Sequence, residues 1–171
     1  MNMKPLSSYI GEELVLTQPS LLKRRYEFNS SSELLAQMFF PKLFSLMATV
    51  DFFDTKYEVF KPNLFKSEIG IRKFGNELSF AALKTNFLRT KGTIVLPKGE
   101  IINLKFGAFK RICEIYSEMD ELLLEIKNVF SLKNKNTVTI IKPSVIIDEN
   151  PWIIMMVWYF LIESRKSGAV Y

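Results

Sequence analysis

The chain has 171 residues, of which 48% are hydrophobic and 24% are charged, and this composition is typical of a folded domain rather than of a disordered chain. It contains no histidine and one cysteine, which excludes catalytic centres of the Ser-His-Asp and Cys-His types and leaves only carboxylates for a zinc site. The net charge of +5 is compatible with an anionic partner without requiring one. We therefore expect one domain over residues 1–171, with no metal, no cofactor and no enzymatic activity.

The N-terminal residues 1–16 contain no apolar run of the length found in signal peptides, because Pro5, Gly11 and two glutamates interrupt them. The single cysteine, Cys113, excludes an internal disulfide and is consistent with a reducing compartment. It lies in a strand-like segment without a histidine to activate it, so an inert thiol is expected. These features predict a cytoplasmic protein.

The densest cluster of basic residues is Lys23-Arg24-Arg25, at the start of a predicted strand. A solvated strand end is the simpler interpretation, and a binding site for an anionic partner is the alternative. Arg72 and Lys73 lie in a second basic segment, which is typical of a strand that runs into a turn. These five residues are our candidates for binding phosphate groups on the exterior of the protein.

From about residue 26 to residue 142 the sequence is typical of short antiparallel strands separated by turns. Apolar and polar residues alternate in residues 25–29, 121–127 and 136–142, so each segment predicts a strand with one wet face. In the second segment Leu122, Leu124 and Ile126 are expected to share the buried face. Turn signals recur between the apolar runs, for example at residues 51–55, 75–76, 97–99 and 133–136.

Residues 32–40 are compatible with either a helix or a strand, because a serine could cap a helix that the following residues favour. Pro41 would end that helix early. Residues 42–53 have the pattern of a hairpin partner. We therefore predict a strand here.

Carboxylate pairs and aromatic residues both have a structural interpretation. Asp51 and Asp54 are the most concentrated pair of carboxylates, but aspartates favour turns because they bond nearby backbone amides. Aromatic residues beside lysine and arginine could stack nucleic-acid bases, yet their spacing matches no single-strand-binding signature. No nucleic acid is expected, and these phenylalanines are predicted to belong to the core: Phe39, Phe40, Phe44, Phe52, Phe53, Phe60, Phe65 and Phe74.

The C-terminal region contains an uninterrupted apolar run, WIIMMVWYFLI, at residues 152–162. As a helix it would extend about 16 Å, against about 30 Å of bilayer hydrocarbon, so it is too short to cross a membrane. A helix that is apolar on all sides must instead be surrounded by protein. The rest of the chain is then expected to wrap around it.

The ends of this helix are marked in the sequence. Asn150 is a suitable N-cap, Pro151 is suited to the first turn, and Gly168 could end the helix after its basic last turn. The predicted central helix spans about residues 151–166. Its expected core residues are Trp152, Ile154, Met155, Trp158 and Leu161.

A series of antiparallel strands followed by a hydrophobic helix resembles the tubby-like barrel superfamily, which includes the LURP-one-related proteins and the phospholipid scramblases. The resemblance covers residues 26–142 and 151–166. It implies a closed antiparallel barrel of about twelve strands around the helix. The scramblases' acidic calcium-binding segment is not found in this chain. Tubby proteins bind phosphoinositide head groups through exterior basic residues, but the likeness assigns none of those positions here.

Three functional classes remain open. The first is a non-enzymatic barrel that binds an anionic lipid, a phosphoinositide head group or a protein partner on its exterior. The second is a membrane-associated protein that uses the C-terminal apolar helix. The third is a carrier of a hydrophobic small molecule, which requires an empty barrel. The first is preferred because a helix inside the barrel disfavours the other two.

Overall fold

A computed structural model of the chain describes residues 4–20, 22–42, 45–63, 67–107, 111–129 and 135–166. Twelve strands are found among these residues: β1 Glu13–Thr17, β2 Arg25–Asn29, β3 Leu34–Phe39, β4 Met47–Phe52, β5 Thr55–Phe60, β6 Glu68–Lys73, β7 Ala81–Thr85, β8 Lys91–Val95, β9 Ile101–Phe106, β10 Ile112–Tyr116, β11 Leu122–Val129 and β12 Lys135–Ile140. A 3₁₀ turn, Leu6–Tyr9, precedes them, and two helices follow, α1 Val145–Glu149 and α2 Trp152–Lys166.

The strands form a closed barrel in which each strand pairs antiparallel with its neighbours in sequence, and β12 returns to pair with β1. Closure leaves no exposed sheet edge. Side chains alternate between the interior and the exterior, as in β2, where Tyr26 and Phe28 are buried between more exposed neighbours. The predicted closed antiparallel β-barrel is therefore confirmed.

Helix α2 lies inside the barrel, as the sequence predicts. Its residues 152–162 are at most 6% exposed, and this range includes the five expected core residues. Its rings contact opposite sides of the wall: Trp158 packs edge-on against Tyr26 of β2, and Phe160 contacts Phe106 of β9. Among the described residues, no helix is long and apolar enough to span a membrane.

The start of α2 differs from the prediction. Residues 145–149 form the separate helix α1, which Ser144 caps by accepting a hydrogen bond from the backbone of Ile147. The side-chain amide of Asn150 donates to the carbonyl of Ile146 at 2.9 Å, so Asn150 ends α1 and does not serve as the predicted N-cap of the central helix. Gly168 lies outside the described residues.

Most strand predictions are confirmed, with one shift. Residues 34–39 form β3 and pair with β4, so this segment is a strand and not a helix. In β11 the register shifts opposite the end of β10, where Leu122 pairs with Tyr116 and Leu124 pairs with Ile115. Leu123 is consequently buried and Leu122 is only half-buried, which corrects the predicted face of that strand. Of the predicted turn at 133–136, residues 133 and 134 lie outside the described residues, whereas 135 and 136 belong to β12.

Because neighbouring strands run in opposite directions, the connections alternate between the two ends of the barrel. The β1–β2, β3–β4, β5–β6, β7–β8 and β9–β10 connections lie at one end. The C-terminus of α2 is at this end too, since a terminal nitrogen of Arg165 donates to the side-chain oxygen of Asn136 at 3.4 Å, and Asn136 pairs with Leu16 near the end of β1. The β2–β3, β4–β5, β6–β7, β8–β9 and β10–β11 connections lie at the other end, together with α1.

Candidate functional site

A groove on the exterior of the barrel brings together residues from β2, β3, β4 and β5, with a volume of about 610 Å³. We call it the basic groove. Its charged lining residues are Lys23, Arg24, Arg25, Asp51 and Lys56. The other lining residues are Leu22, Gln37, Phe39, Phe40, Pro41, Thr49 and Phe74.

Strand register explains why these side chains meet. Arg25 of β2 pairs with Phe39 of β3, which in turn pairs with Thr49 of β4. A second row, two residues along the strands, aligns Gln37 with Asp51, and Asp51 with Lys56 of β5. Both rows point outward because the intervening positions in these strands point into the core. The groove floor is therefore a sheet surface, and the β1–β2 connection borders it at one end.

Positive charge dominates the groove, with four cations against the single carboxylate of Asp51. Lys56 lies 3.4 Å from Asp51, and Arg25 lies 3.1 Å from Glu27 on its own strand. Among the described residues, no ion pair joins the side chains of Lys23 or Arg24 to a carboxylate. These two cations are available to an anionic ligand.

The backbone beneath these two cations is held in place. The side-chain amide of Gln18 donates to the carbonyl of Lys23 at 3.2 Å, and the backbone N–H of Phe40 donates to the carbonyl of Arg24 at 3.0 Å. The second bond ties the β1–β2 connection to the end of β3. The backbone of Lys23 and Arg24 is therefore fixed, although their long side chains can adjust to a ligand.

Two aromatic rings border the basic residues. Phe39 is 51% exposed and Phe74 is 55% exposed, and the ammonium of Lys56 lies 5.2 Å from the centroid of the Phe74 ring. The prediction that the phenylalanines belong to the core is therefore wrong for these two residues and for Phe53, which is 37% exposed. It holds for Phe40 and Phe52, which are buried, while Phe60 is half-buried. Phe44 and Phe65 lie outside the described residues.

Arg72, one of the two remaining predicted phosphate ligands, does not line the groove. Its Nε donates to Glu58 at 2.7 Å, a terminal nitrogen donates to the carbonyl of Glu77 at 3.2 Å, and the guanidinium lies 4.7 Å from the Phe60 centroid. Because Glu58 is buried, Arg72 neutralises a carboxylate that would otherwise be costly to bury. Lys73 is exposed at the end of β6 and is also absent from the lining.

The cysteine and the two aspartates considered for catalysis occupy separate places in the fold. Cys113 is buried, and this burial raises the pKa of its thiol far above the neutral range, so the thiol stays protonated. Asp51 lines the groove and pairs with Lys56, whereas Asp54 lies in the turn between β4 and β5. Among the described residues, no group of three or more His, Cys, Asp or Glu side chains could hold a metal ion.

The groove combines positive charge with exposed aromatic and aliphatic surface, an arrangement suited to a ligand that is anionic at one part and apolar at another. Three of the five predicted residues, Lys23, Arg24 and Arg25, are brought together in it. Lys56 could not be predicted as a member of this group, because its position depends on the pairing of β4 with β5. The adjacent pair Phe39-Phe40 did carry a signal, because consecutive residues of a regular strand point to opposite faces of the sheet.

Comparisons with known proteins support the fold. The X-ray structure of a protein from Arabidopsis thaliana matches this chain with a TM-score of 0.63 and 13% sequence identity, covering 90% of this chain and 91% of that chain. At this identity the likeness shows a common barrel architecture and carries no function. No family model matches the chain, and no curated protein matches it either.

Proposed function

We propose that this protein is a non-enzymatic binding protein whose basic groove takes the anionic head group of a phospholipid, with phosphoinositides as the preferred class. The observation that carries the proposal is the lining of the groove, in which Lys23 and Arg24 add positive charge that no described carboxylate neutralises. Guanidinium and ammonium groups form charge-assisted hydrogen bonds to phosphate oxygens.

The apolar residues of the groove favour a lipid over a simple inorganic anion. Leu22, Phe39 and Phe74 offer exposed hydrocarbon beside the cations. A head group attached to a glycerol backbone and acyl chains presents the same combination of charge and hydrocarbon. An inorganic anion would gain nothing from the aromatic rings.

The two other functional classes are less consistent with the fold. Barrel wall covers the apolar residues of α2, so the helix has no free apolar face to offer a bilayer. The same helix occupies the lumen in which a carrier would hold its cargo.

We further infer that the chain is related to the tubby-like barrels, including the LURP-one-related and scramblase-like proteins, and that it acts in the cytoplasm. Twelve strands closed around a hydrophobic helix support the first inference. The second is supported by the buried free thiol of Cys113 and by the negative surface potential that anionic lipids give the cytoplasmic leaflet.

Titration of the full-length protein with soluble inositol trisphosphate tests the groove directly. We expect saturable binding that weakens as salt rises, because Lys23 is exposed and Arg24 is only half-buried, so that dissolved ions can screen both charges. The double variant Lys23→Gln/Arg24→Gln should bind at least about tenfold more weakly, since it removes two contacts of the charge-assisted kind.

The matched control is Lys98→Gln/Lys142→Gln, which removes the same net charge from the opposite end of the barrel, where both lysines lie in exposed ion pairs. This control should bind like the wild type. If both double variants bound equally weakly, net charge alone would explain the loss of affinity, and a specific binding site in the groove would be contradicted. Absence of binding by the wild type would refute the head-group proposal and favour a protein partner.

A further inference from the structure

Charge is strongly separated between the two ends of the barrel. At the end that holds the β1–β2 connection, the described residues of the five connections contain no Asp or Glu. Their basic residues are Lys23, Arg24, Lys42, Lys61, Arg89 and Arg111. We call this the basic end.

The five hairpin connections at the other end show the reverse balance. Their only basic residue is Lys98, and all their residues are described. The acidic residues are Glu33, Asp54, Glu77, Glu100, Glu118, Asp120 and Glu121. We call this the acidic end. The net charge of +5 does not reveal this separation. Near an anionic surface, a molecule with charge separated in this way turns its basic end towards the surface.

The β7–β8 connection presents two large apolar side chains at the basic end. Phe87 is 95% exposed and Leu88 is 73% exposed. Turn positions usually carry Gly, Pro, Asn, Asp or Ser, whose conformational or hydrogen-bonding properties suit a turn, and exposed Phe and Leu have no such role. Their exposure therefore calls for another explanation.

Asn86 holds this connection in a defined shape. Its carbonyl accepts from the backbone N–H of Arg89 at 2.9 Å, and its side-chain oxygen accepts from the N–H groups of Thr90 and Lys91 at 2.8 and 3.0 Å. Phe87 and Leu88 are the two central residues of the turn that these bonds close. The two side chains are thus displayed from a fixed backbone beside the basic Arg89 and Lys91.

A third apolar residue, Leu22, is 95% exposed on the β1–β2 connection at the same end. The strands β2 and β8 are six positions apart in a ring of twelve, so the two connections lie on opposite sides of the barrel mouth. With strands about 4.8 Å apart and tilted by about 40°, the mouth is about 24 Å across. A flat surface laid on the basic end could touch both connections at once.

Exposed apolar residues alone do not distinguish the basic end from the acidic end as a membrane-binding surface. At the acidic end Leu78 is 84% exposed and Met119 is 86% exposed. At the basic end the exposed apolar residues are followed by cations in the chain, Lys23 after Leu22 and Arg89 after Leu88, whereas Leu78 and Met119 are next to acidic residues. Apolar side chains beside cations are the combination by which peripheral proteins bind anionic bilayers. Seven acidic residues would repel the acidic end from the same surface.

We propose that the protein docks end-on against an anionic lipid bilayer, with the basic end at the head groups and Phe87 and Leu88 inserted into the interface. This inference rests on the proposed function in one respect, since Lys23 and Arg24 belong both to the groove and to the basic end. Docking by the basic end needs only an anionic surface, however, whereas the groove is proposed to select a head group.

Fluorescence at single labelled sites tests the orientation. The native Cys113 is buried, so an environment-sensitive dye can be attached selectively to Leu88→Cys and to the control Leu78→Cys in the folded full-length protein. With phosphatidylcholine vesicles containing phosphatidylserine, we expect a blue shift and an intensity gain from the Leu88 site alone. A shift from the Leu78 site, from both sites or from neither would overturn the proposal.

A second measurement separates this inference from the groove. The variant Phe87→Ser/Leu88→Ser should reduce partitioning to phosphatidylserine vesicles at least about tenfold, because it removes most of the insertable apolar area. Its affinity for soluble inositol trisphosphate should not change. The control Leu78→Ser/Met119→Ser should match the wild type in both assays. Unchanged partitioning of the Phe87 and Leu88 variant would refute insertion, whatever the outcome for the groove.

Discussion

Replacement of Trp158 by alanine tests whether the barrel is built around α2. Trp158 is fully buried at the middle of this helix, and its ring lies edge-on to Tyr26 with centroids 5.3 Å apart. Truncation of a buried tryptophan to alanine lowers the free energy of unfolding by about 3–5 kcal/mol, which is a large share of the total of about 5–15 kcal/mol. For a domain of this size, we expect the melting temperature to fall by about 6–20 °C.

The assay is thermal unfolding followed by circular dichroism at a fixed protein concentration. Leu78→Ala is the control, since this side chain is exposed and its truncation should change the free energy of unfolding by less than about 0.5 kcal/mol. The melting temperature of Trp158→Phe should lie between those of Trp158→Ala and the wild type, because the smaller ring fills part of the space that tryptophan occupies. A Trp158→Ala protein that melts within about 2 °C of the wild type would refute the central position of the helix.

Three further predictions concern folding and pH. Ile154→Asp should yield no cooperatively folded protein, because it places an unpaired charge at a fully buried position; a cooperative melting transition would contradict this. Arg72→Ala should lower the free energy of unfolding by about 1.5–3 kcal/mol in denaturant titrations, because it leaves the buried Glu58 unpaired. Its affinity for inositol trisphosphate should equal that of the wild type, and a loss of affinity would show that Arg72 does contribute to binding. The pKa of Glu12 is lowered below its ordinary 4.5, mainly because the backbone N–H of Ser31 donates to its carboxylate. The ionised Glu12 therefore stabilises the fold above pH 4.5, and this stabilisation is lost as the pH falls through the lowered pKa. Glu12→Gln should therefore reduce the melting temperature at neutral pH and match the wild type in acid, and a gap that persists in acid would contradict this linkage.

The barrel and its central helix could be predicted because their signals are local. A run that is apolar on all sides and too short for a membrane requires a protein wall, and alternation in segments such as residues 25–29 supplies strands for that wall. The register shift at Leu123 could not be predicted, since three consecutive leucines give no alternation. Helix α1 was missed because Asn150-Pro151 is a strong start signal for α2, and it conceals the Ser144 cap further upstream.

The basic groove was predictable only in part. Lys23, Arg24 and Arg25 are neighbours in sequence, so their shared position follows from the chain itself. Lys56 and Phe74 join them through pairing between strands, which no local pattern specifies. Arg72 is equally basic in sequence, but a buried carboxylate two residues before the end of β5 engages it.

The charge separation between the two ends also depends on topology. Each of the ten connections contributes only one to three charges, so the switch between basic and acidic segments is hard to see along the sequence. The alternation becomes meaningful once every strand is known to pair antiparallel with its neighbour, because odd and even connections then fall at opposite ends.

Co-sedimentation of the full-length wild-type protein with vesicles tests the central claim most directly. Neutral phosphatidylcholine vesicles and vesicles that also contain a phosphoinositide are compared at low and at physiological salt. We expect the protein to sediment with the phosphoinositide vesicles alone, and to sediment less at the higher salt concentration. Equal sedimentation with both kinds of vesicle, or none with either, would contradict the proposal that this barrel binds anionic lipid.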